Sequence, residues 1–366
     1  MRIDDFLRRE IEVGSFPSAV YAIGSSRGIE HENALGHAVA VPLRIPATLD
    51  TIYDCASLTK PLITTTLALQ SLELDDHIRS LLTHTSGLRA WMPLYLSGSR
   101  GSAVARLRGE APRDPETARP RDLYVTGSRG REVTRLRGPE TPRDPETAQP
   151  RALYVTAIRE HGPEYEPGTR VVYSDLNFIL LWSLLPDYLS LARKRILAPL
   201  GIEADAMFSP PPSLRPRIAA TEWGQRFEAK LANRPEIAAR RDGLIWSETH
   251  DGNSFFAGGT AGNAGLFATA RSVFRMAQAW AKAELLPRAI VDEAMRNQTA
   301  GLNESRGLGW QISASGMYGH TGFTGTSVWI DRTRDRIMVL LTNRVHPCAA
   351  PIAMQRIRAE FHRLAA

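Results

Sequence analysis

Strand-like segments lie at the two ends of this 366-residue chain and helix-like segments fill its middle. That order demands one sheet assembled from both ends, with a helical part inserted beside it. Residues 18–24 read as a strand and residues 31–41 as its hairpin partner, with the turn Ser25-Ser26-Arg27-Gly28 between them. Residues 309–314, 317–324, 326–330 and 336–341 read as further strands, the last two joined through Asp331-Arg332-Thr333-Arg334-Asp335. Apolar spacing predicts helices over 57–72, 178–185, 188–197 and 270–286. Pro210-Pro211-Pro212 and the glycine-rich run 258–265 mark loops, and Met354, Ile357, Phe361 and Leu364 share one face of a closing helix. The expected class is mixed α/β (α+β).

Composition is that of a globular protein, 43% hydrophobic and 23% charged, with no apolar run long enough to span a bilayer. A net charge of +6 points at first to nucleic acid, but twelve arginines against eight acidic residues in 97–151 supply +4 of it. There the chain repeats itself. Leu94-Tyr95-Leu96-Ser97-Gly98 returns as Leu123-Tyr124-Val125-Thr126-Gly127, and Pro112-Arg113-Asp114-Pro115-Glu116-Thr117-Ala118 as Pro142-Arg143-Asp144-Pro145-Glu146-Thr147-Ala148. A third Leu153-Tyr154-Val155-Thr156 closes the series. Two copies are too few for a solenoid and poor in core formers, so residues 97–152 are expected to be a duplicated, disordered Arg/Pro-rich insertion. Its arginines alternate with acids and have almost no aromatics among them, so no nucleic-acid partner is expected. The first ten residues lack the apolar core and cleavage site of a secretory signal, and Cys55 and Cys348 are too few for a disulfide framework. A soluble, cytoplasmic protein with no membrane partner is expected; its oligomeric state stays open.

One stretch carries chemistry: Asp54-Cys55-Ala56-Ser57-Leu58-Thr59-Lys60-Pro61. The chain uses arginine for nearly every basic position and has four lysines, Lys60, Lys194, Lys230 and Lys282. Arginine cannot release its proton in a protein, whereas a desolvated lysine can be brought near neutrality and act as a base. At a helix start, residues three apart share a face, so Ser57 and Lys60 are placed as nucleophile and base. His84, flanked by threonines and a serine, reads as a residue that ties a loop together.

Taken in order, Ser57-x-x-Lys60, Tyr173-Ser174-Asp175 and His320-Thr321-Gly322 resemble the three active-site elements of the serine β-lactamase and penicillin-binding protein superfamily. Within it they resemble the branch of class C β-lactamases, esterases and D-aminopeptidases. Residues 81–88, Pro167-Gly168-Thr169, His250-Asp251-Gly252-Asn253, Ala264-Gly265-Leu266-Phe267 and 319–326 share the resemblance. It implies a β-lactamase/transpeptidase-like fold: an antiparallel sheet flanked by helices plus an all-helical subdomain. The chain is then one catalytic domain over 1–366, with a sheet part about 1–72 and 255–366 and a helical part about 73–254.

The resemblance also assigns roles. Ser57 would form an acyl-enzyme, with Lys60 and Tyr173 relaying the proton and a nearby ammonium lowering the Tyr173 pKa. The backbone N–H groups of Ser57 and Phe323 would form the oxyanion hole, and Gly322 would let that backbone approach the substrate. Thr321, and His320 when protonated, would hold a substrate carboxylate or polar group. Asp175 stands where asparagine is common; a carboxylate there would repel a β-lactam carboxylate or raise the Lys60 pKa. Links shorter than in relatives over 72–81 and 181–191 put the placement of Tyr173 at stake. No metal or organic cofactor is implied. The expected function is a serine hydrolase cleaving a small ester or amide; a D-amino-acid peptidase, a β-lactamase and, in another class, a catalytically impaired binding homologue are the alternatives.

Overall fold

The structure, a computed structural model, describes residues 2–97, 148–349 and 353–366. Its main sheet is antiparallel and joins both ends of the chain. Strands β1 (Ser18–Ser25), β2 (Gly28–Val39) and β3 (Ile45–Pro46) come from one end. After β4 (Tyr53–Asp54), β5 (Ala206–Phe208) and β6 (Leu266–Ala268), the other end supplies β7 (Gln311–Ile312), β8 (Tyr318–Thr321), β9 (Ser327–Asp331) and β10 (Arg336–Thr342). The order is β3-β2-β1-β10-β9-β8-β7, while β4, β6 and β5 form a small second sheet. The two ends meet at β1 and β10, where Ala19 faces Thr342 and Ile23 faces Met338.

Every residue of β1 is buried, because helices cover both faces of the sheet. On one face Tyr21, Ile23, Met338 and Leu340 pack with Phe6, Leu7, Ile357 and Phe361, from the helices Ile3–Glu12 and Met354–Ala365. On the other, Val20, Ala22, Val339 and Leu341 join the larger core with Val273, Phe274, Ala277 and Trp280, from the helix Ala270–Lys282. The alternation along β1 and β10 is the period-two pattern of a strand covered twice.

Several boundaries differ from expectation. The helix expected over 57–72 is a 3₁₀ turn Ala56–Leu58, a wide π turn Lys60–Thr65 and an α segment Thr66–Ser71. Pro61 offers no N–H to an α ladder there. Strand β8 ends at Thr321, so Gly322 and Phe323 sit in a turn, where Gly322 N–H donates to Thr326 O at 2.8 Å and Gly325 N–H to Gly322 O at 3.0 Å. The insertion expected over 97–152 does not reach 152. The helix Ala148–His161 takes up its end, with Arg151 stacked 4.3 Å over Trp182 and Tyr154 fully buried. The expected disorder of the rest lies outside the described residues. Among the described residues no helix is long and apolar enough to cross a membrane.

Phe361 is fully buried with its ring 5.9 Å from that of Tyr21, so it anchors the closing helix to the sheet. Phe361→Ala is expected to cost about 3–5 kcal/mol of stability, read as a lower urea midpoint at unchanged slope.

Candidate active site

Ser57 follows a strained turn. Ala56 holds φ at +45°, a left-handed conformation that a residue with a Cβ rarely takes. Asp54, 2% exposed, fixes it: Oδ1 accepts the Ala56 N–H at 2.8 Å while Oδ2 accepts the His250 N–H at 2.7 Å. The same element is sewn to the turn after β8. Thr324 Oγ1 donates to Asp54 O at 2.7 Å and Thr326 Oγ1 to Cys55 O at 3.0 Å. A Cβ on Gly322 would lie 2.6 Å from Cys55 O. Glycine is therefore required there for the two turns to touch.

Lys60 is fully buried beneath Ser57. Its Nζ donates to Ser57 Oγ at 2.9 Å and to Asn263 O at 3.0 Å, and it pairs with Asp175 Oδ1 at 2.6 Å. Two hydrogen-bond acceptors and a carboxylate at ion-pair distance are surroundings that favour an ammonium. Burial pulls the Lys60 pKa down, but the charge of Asp175, followed by Tyr173, outweighs it and holds the group above the ordinary lysine value. The near-neutral lysine anticipated from desolvation is thus not the resting state, while the upward push expected of Asp175 is present. Asp175 reaches Lys60 because it opens the helix Asp175–Ser183, its own N–H bound to Ala90 O at 2.8 Å.

Tyr173 lies beside this pair, its ring centroid 5.0 Å from Lys60 Nζ, so the short links do not carry it away. Its Oη is buried without a well-formed hydrogen bond among the described residues. Burial raises the phenol pKa, and the pull of the Lys60 charge does not offset this, contrary to the lowering anticipated. The segment is held by His84, which is buried at φ +59°. His84 O accepts the Val172 N–H at 3.0 Å, Nδ1 accepts the Ser174 N–H at 3.0 Å, and its ring packs 4.7 Å from that of Tyr173. Burial, then the charges of Arg306 and Lys60, keeps His84 neutral, in the structural role expected.

His320 lies on β8. It is 2% exposed, and its Nδ1 shares a 2.8 Å hydrogen bond with the Thr321 carbonyl, which places the ring proton on Nδ1. Burial, followed by the charges of Lys60 and Arg306, drives its pKa well below the ordinary histidine value. Without a substrate the ring is therefore held neutral, which makes for a weaker hold on a carboxylate than a fixed cation would give.

Ser57, Tyr173, Asp175, His320, Thr321, Gly322 and Phe323 line one cleft of about 1430 Å³, with Lys60 under its floor. The Phe323 ring packs 4.1 Å from Phe227 and 5.5 Å from His250, and the Arg344 guanidinium lies 4.5 Å over its face. Sequence reasoning missed Asp54, Asn263, Arg306 and Arg344; Asp54 alone had a signal, its place three residues before the serine. Among the described residues, no group of three or more histidine, cysteine, aspartate or glutamate side chains has the arrangement of a metal site.

Known structures share this fold. EstCE1, described as a hydrolase with promiscuous acyltransferase activity, superposes with a TM-score of 0.66 at 17% identity, over 100% of this chain and 97% of that one. The D-amino acid amidase from Ochrobactrum anthropi SV3, complexed with L-phenylalanine amide, gives 0.62 at 18% identity, over 99% and 97%. In sequence the chain is 25% identical over 386 residues to a protein of Salmonella typhi named "Putative D-alanyl-D-alanine carboxypeptidase", covering 96% of this chain and 84% of that relative. The family model described as Beta-lactamase matches residues 134–362, well over half the chain, from before Tyr173 to beyond the turn that follows β8. This chain belongs to the beta-lactamase family of serine hydrolases.

Proposed function

We propose that the chain cleaves a small ester or amide through an acyl-enzyme on Ser57. The observation that carries this reading is the 2.9 Å contact between Lys60 Nζ and Ser57 Oγ at the floor of the cleft. Once Lys60 has lost a proton, its amine accepts the Ser57 hydroxyl proton as Oγ bonds to the substrate carbonyl carbon. The carbonyl electron pair moves to oxygen, where the N–H groups of Ser57 and Phe323 receive it. The tetrahedral adduct collapses, and Tyr173 gives its phenolic proton to the leaving alcohol or amine. Its raised pKa suits that donation. Lys60 restores the Tyr173 proton, and water then repeats the sequence in reverse to release the acid. The hydrolase and amidase named among the structural neighbours are consistent with esters and amides as substrates.

A β-lactam carboxylate would find no cation at a neutral His320, and its hold would fall to arginines that line the cleft, Arg306 and Arg344 among them.

After exposure to p-nitrophenyl acetate or a fluorophosphonate, the intact wild-type protein is expected to gain one acyl or phosphonyl mass, and Ser57→Ala none. Equal labelling of the variant would refute the assignment of the nucleophile.

The pH dependence follows from Lys60. Activity needs its neutral amine, whereas ionised Asp175 favours the ammonium, so kcat/KM is expected to climb with pH well into the alkaline range. Asp175→Asn removes the negative charge and keeps a hydrogen-bond acceptor of the same size. Its alkaline limb is expected about one pH unit or more lower, with higher activity at neutral pH. A pH–rate profile that does not move would show that Asp175 does not control Lys60.

A further inference from the structure

We propose that Arg358, on the helix Met354–Ala365, positions and polarises the peptide group whose N–H serves as the oxyanion donor. The inference rests on the acyl-enzyme reading above. The peptide in question joins Gly322 to Phe323. It is not among the cis bonds, so its carbonyl and its N–H point to opposite sides. Whatever fixes the Gly322 carbonyl therefore fixes the aim of the Phe323 N–H.

Two donors hold that carbonyl: Arg358 Nη2 at 2.6 Å and the Gly325 N–H at 3.0 Å. The same Nη2 reaches Thr326 O at 3.0 Å, the atom that accepts the Gly322 N–H. Arg358 thus closes the turn through its carbonyls, while Thr324 and Thr326 tie the same turn to the backbone of Asp54 and Cys55. Arg344 holds the next peptide, its Nε donating to Phe323 O at 2.7 Å. Among the described residues no carboxylate acts on the charge of either arginine. Their charges are spent on backbone carbonyls. Burial, then the charge of Arg344, brings the Arg358 guanidinium down to about 10, still protonated at neutral pH.

A cation on a peptide oxygen draws electron density from the nitrogen and makes its N–H a stronger donor. The gain appears where charge develops, in the transition state, and leaves substrate binding nearly unchanged. Loss of a whole oxyanion donor costs on the order of a hundredfold to a thousandfold in rate, and weakening one costs less.

The test compares the full-length wild type with Arg358→Met and Arg358→Lys. It measures kcat and KM for p-nitrophenyl acetate, the inhibition constant of phenylboronic acid, which becomes a tetrahedral anion on Ser57, and the melting temperature. Arg358→Met is expected to lose about tenfold or more in kcat with KM within about threefold, and boronate affinity should fall in step. Arg358→Lys, with one donor in place of a fork, should fall between, and carries the test if the methionine variant does not fold. A folded variant within about threefold of wild type in kcat, or a slowed one that binds boronate undiminished, overturns the proposal while leaving the acyl-enzyme reading intact. A wild type that forms no Ser57 adduct overturns both.

Discussion

The ion pair of Lys60 and Asp175 beneath Ser57 is the interaction on which the site depends. A fully buried ammonium is costly unless its charge is matched and each proton has an acceptor. Here Asp175 matches the charge, and Asn263 O and Ser57 Oγ each accept a proton. These partners come from three separate parts of the chain, so the pair forms only when the fold is complete. Removing one partner from such a site typically costs about 3–5 kcal/mol, because the other is left buried and unmatched. The arrangement that stabilises the site also holds Lys60 in the protonation state that cannot accept a proton. In the proposed mechanism, stability and reactivity oppose each other at one nitrogen atom.

The rest of the architecture holds other groups against that pair. Joining β1 to β10 brings the two ends of the chain into one sheet, and β8 then runs past the nucleophile turn. The threonine hydroxyls of 324 and 326 bridge to the backbone of Asp54 and Cys55, so the turn between β8 and β9 and the serine cannot move independently. On the helical side His84 grips the backbone on both sides of Tyr173. Each element is fixed by hydrogen bonds between main chain and side chain, which tolerate less displacement than apolar packing does.

What was legible in the sequence was local. Ser57 and Lys60 are three residues apart, Tyr173 and Asp175 two, and His320 to Phe323 are consecutive, so each cluster carries its own signature. The sheet was legible because β1 and β10 are continuous apolar runs and the closing helix shows its periodicity. Contacts between distant segments were not. Nothing at Arg358 announces that it will meet Gly322 O, and the Asn263 contribution is a carbonyl that any residue would supply. The direction of the Tyr173 pKa was misjudged for the same reason. The neutral His320 and the raised Tyr173 pKa follow from burial, which depends on how the whole chain packs. The helix at Ser57 was placed correctly but not as a uniform α-helix, since its 3₁₀ and π turns answer to Pro61 and to the strain at Ala56.

The most direct test is the protonation state of Lys60 itself. With four lysines in the chain, ¹³Cε-lysine labelling gives four signals, and comparison with Lys60→Met assigns the one of interest. A pH titration followed by NMR should find the Lys60 signal still that of an ammonium at about pH 10, with its midpoint above the ordinary lysine value of about 10.4. A midpoint below about pH 9 would contradict the account, because Lys60 would then be a ready base in the resting protein and Asp175 would not govern it.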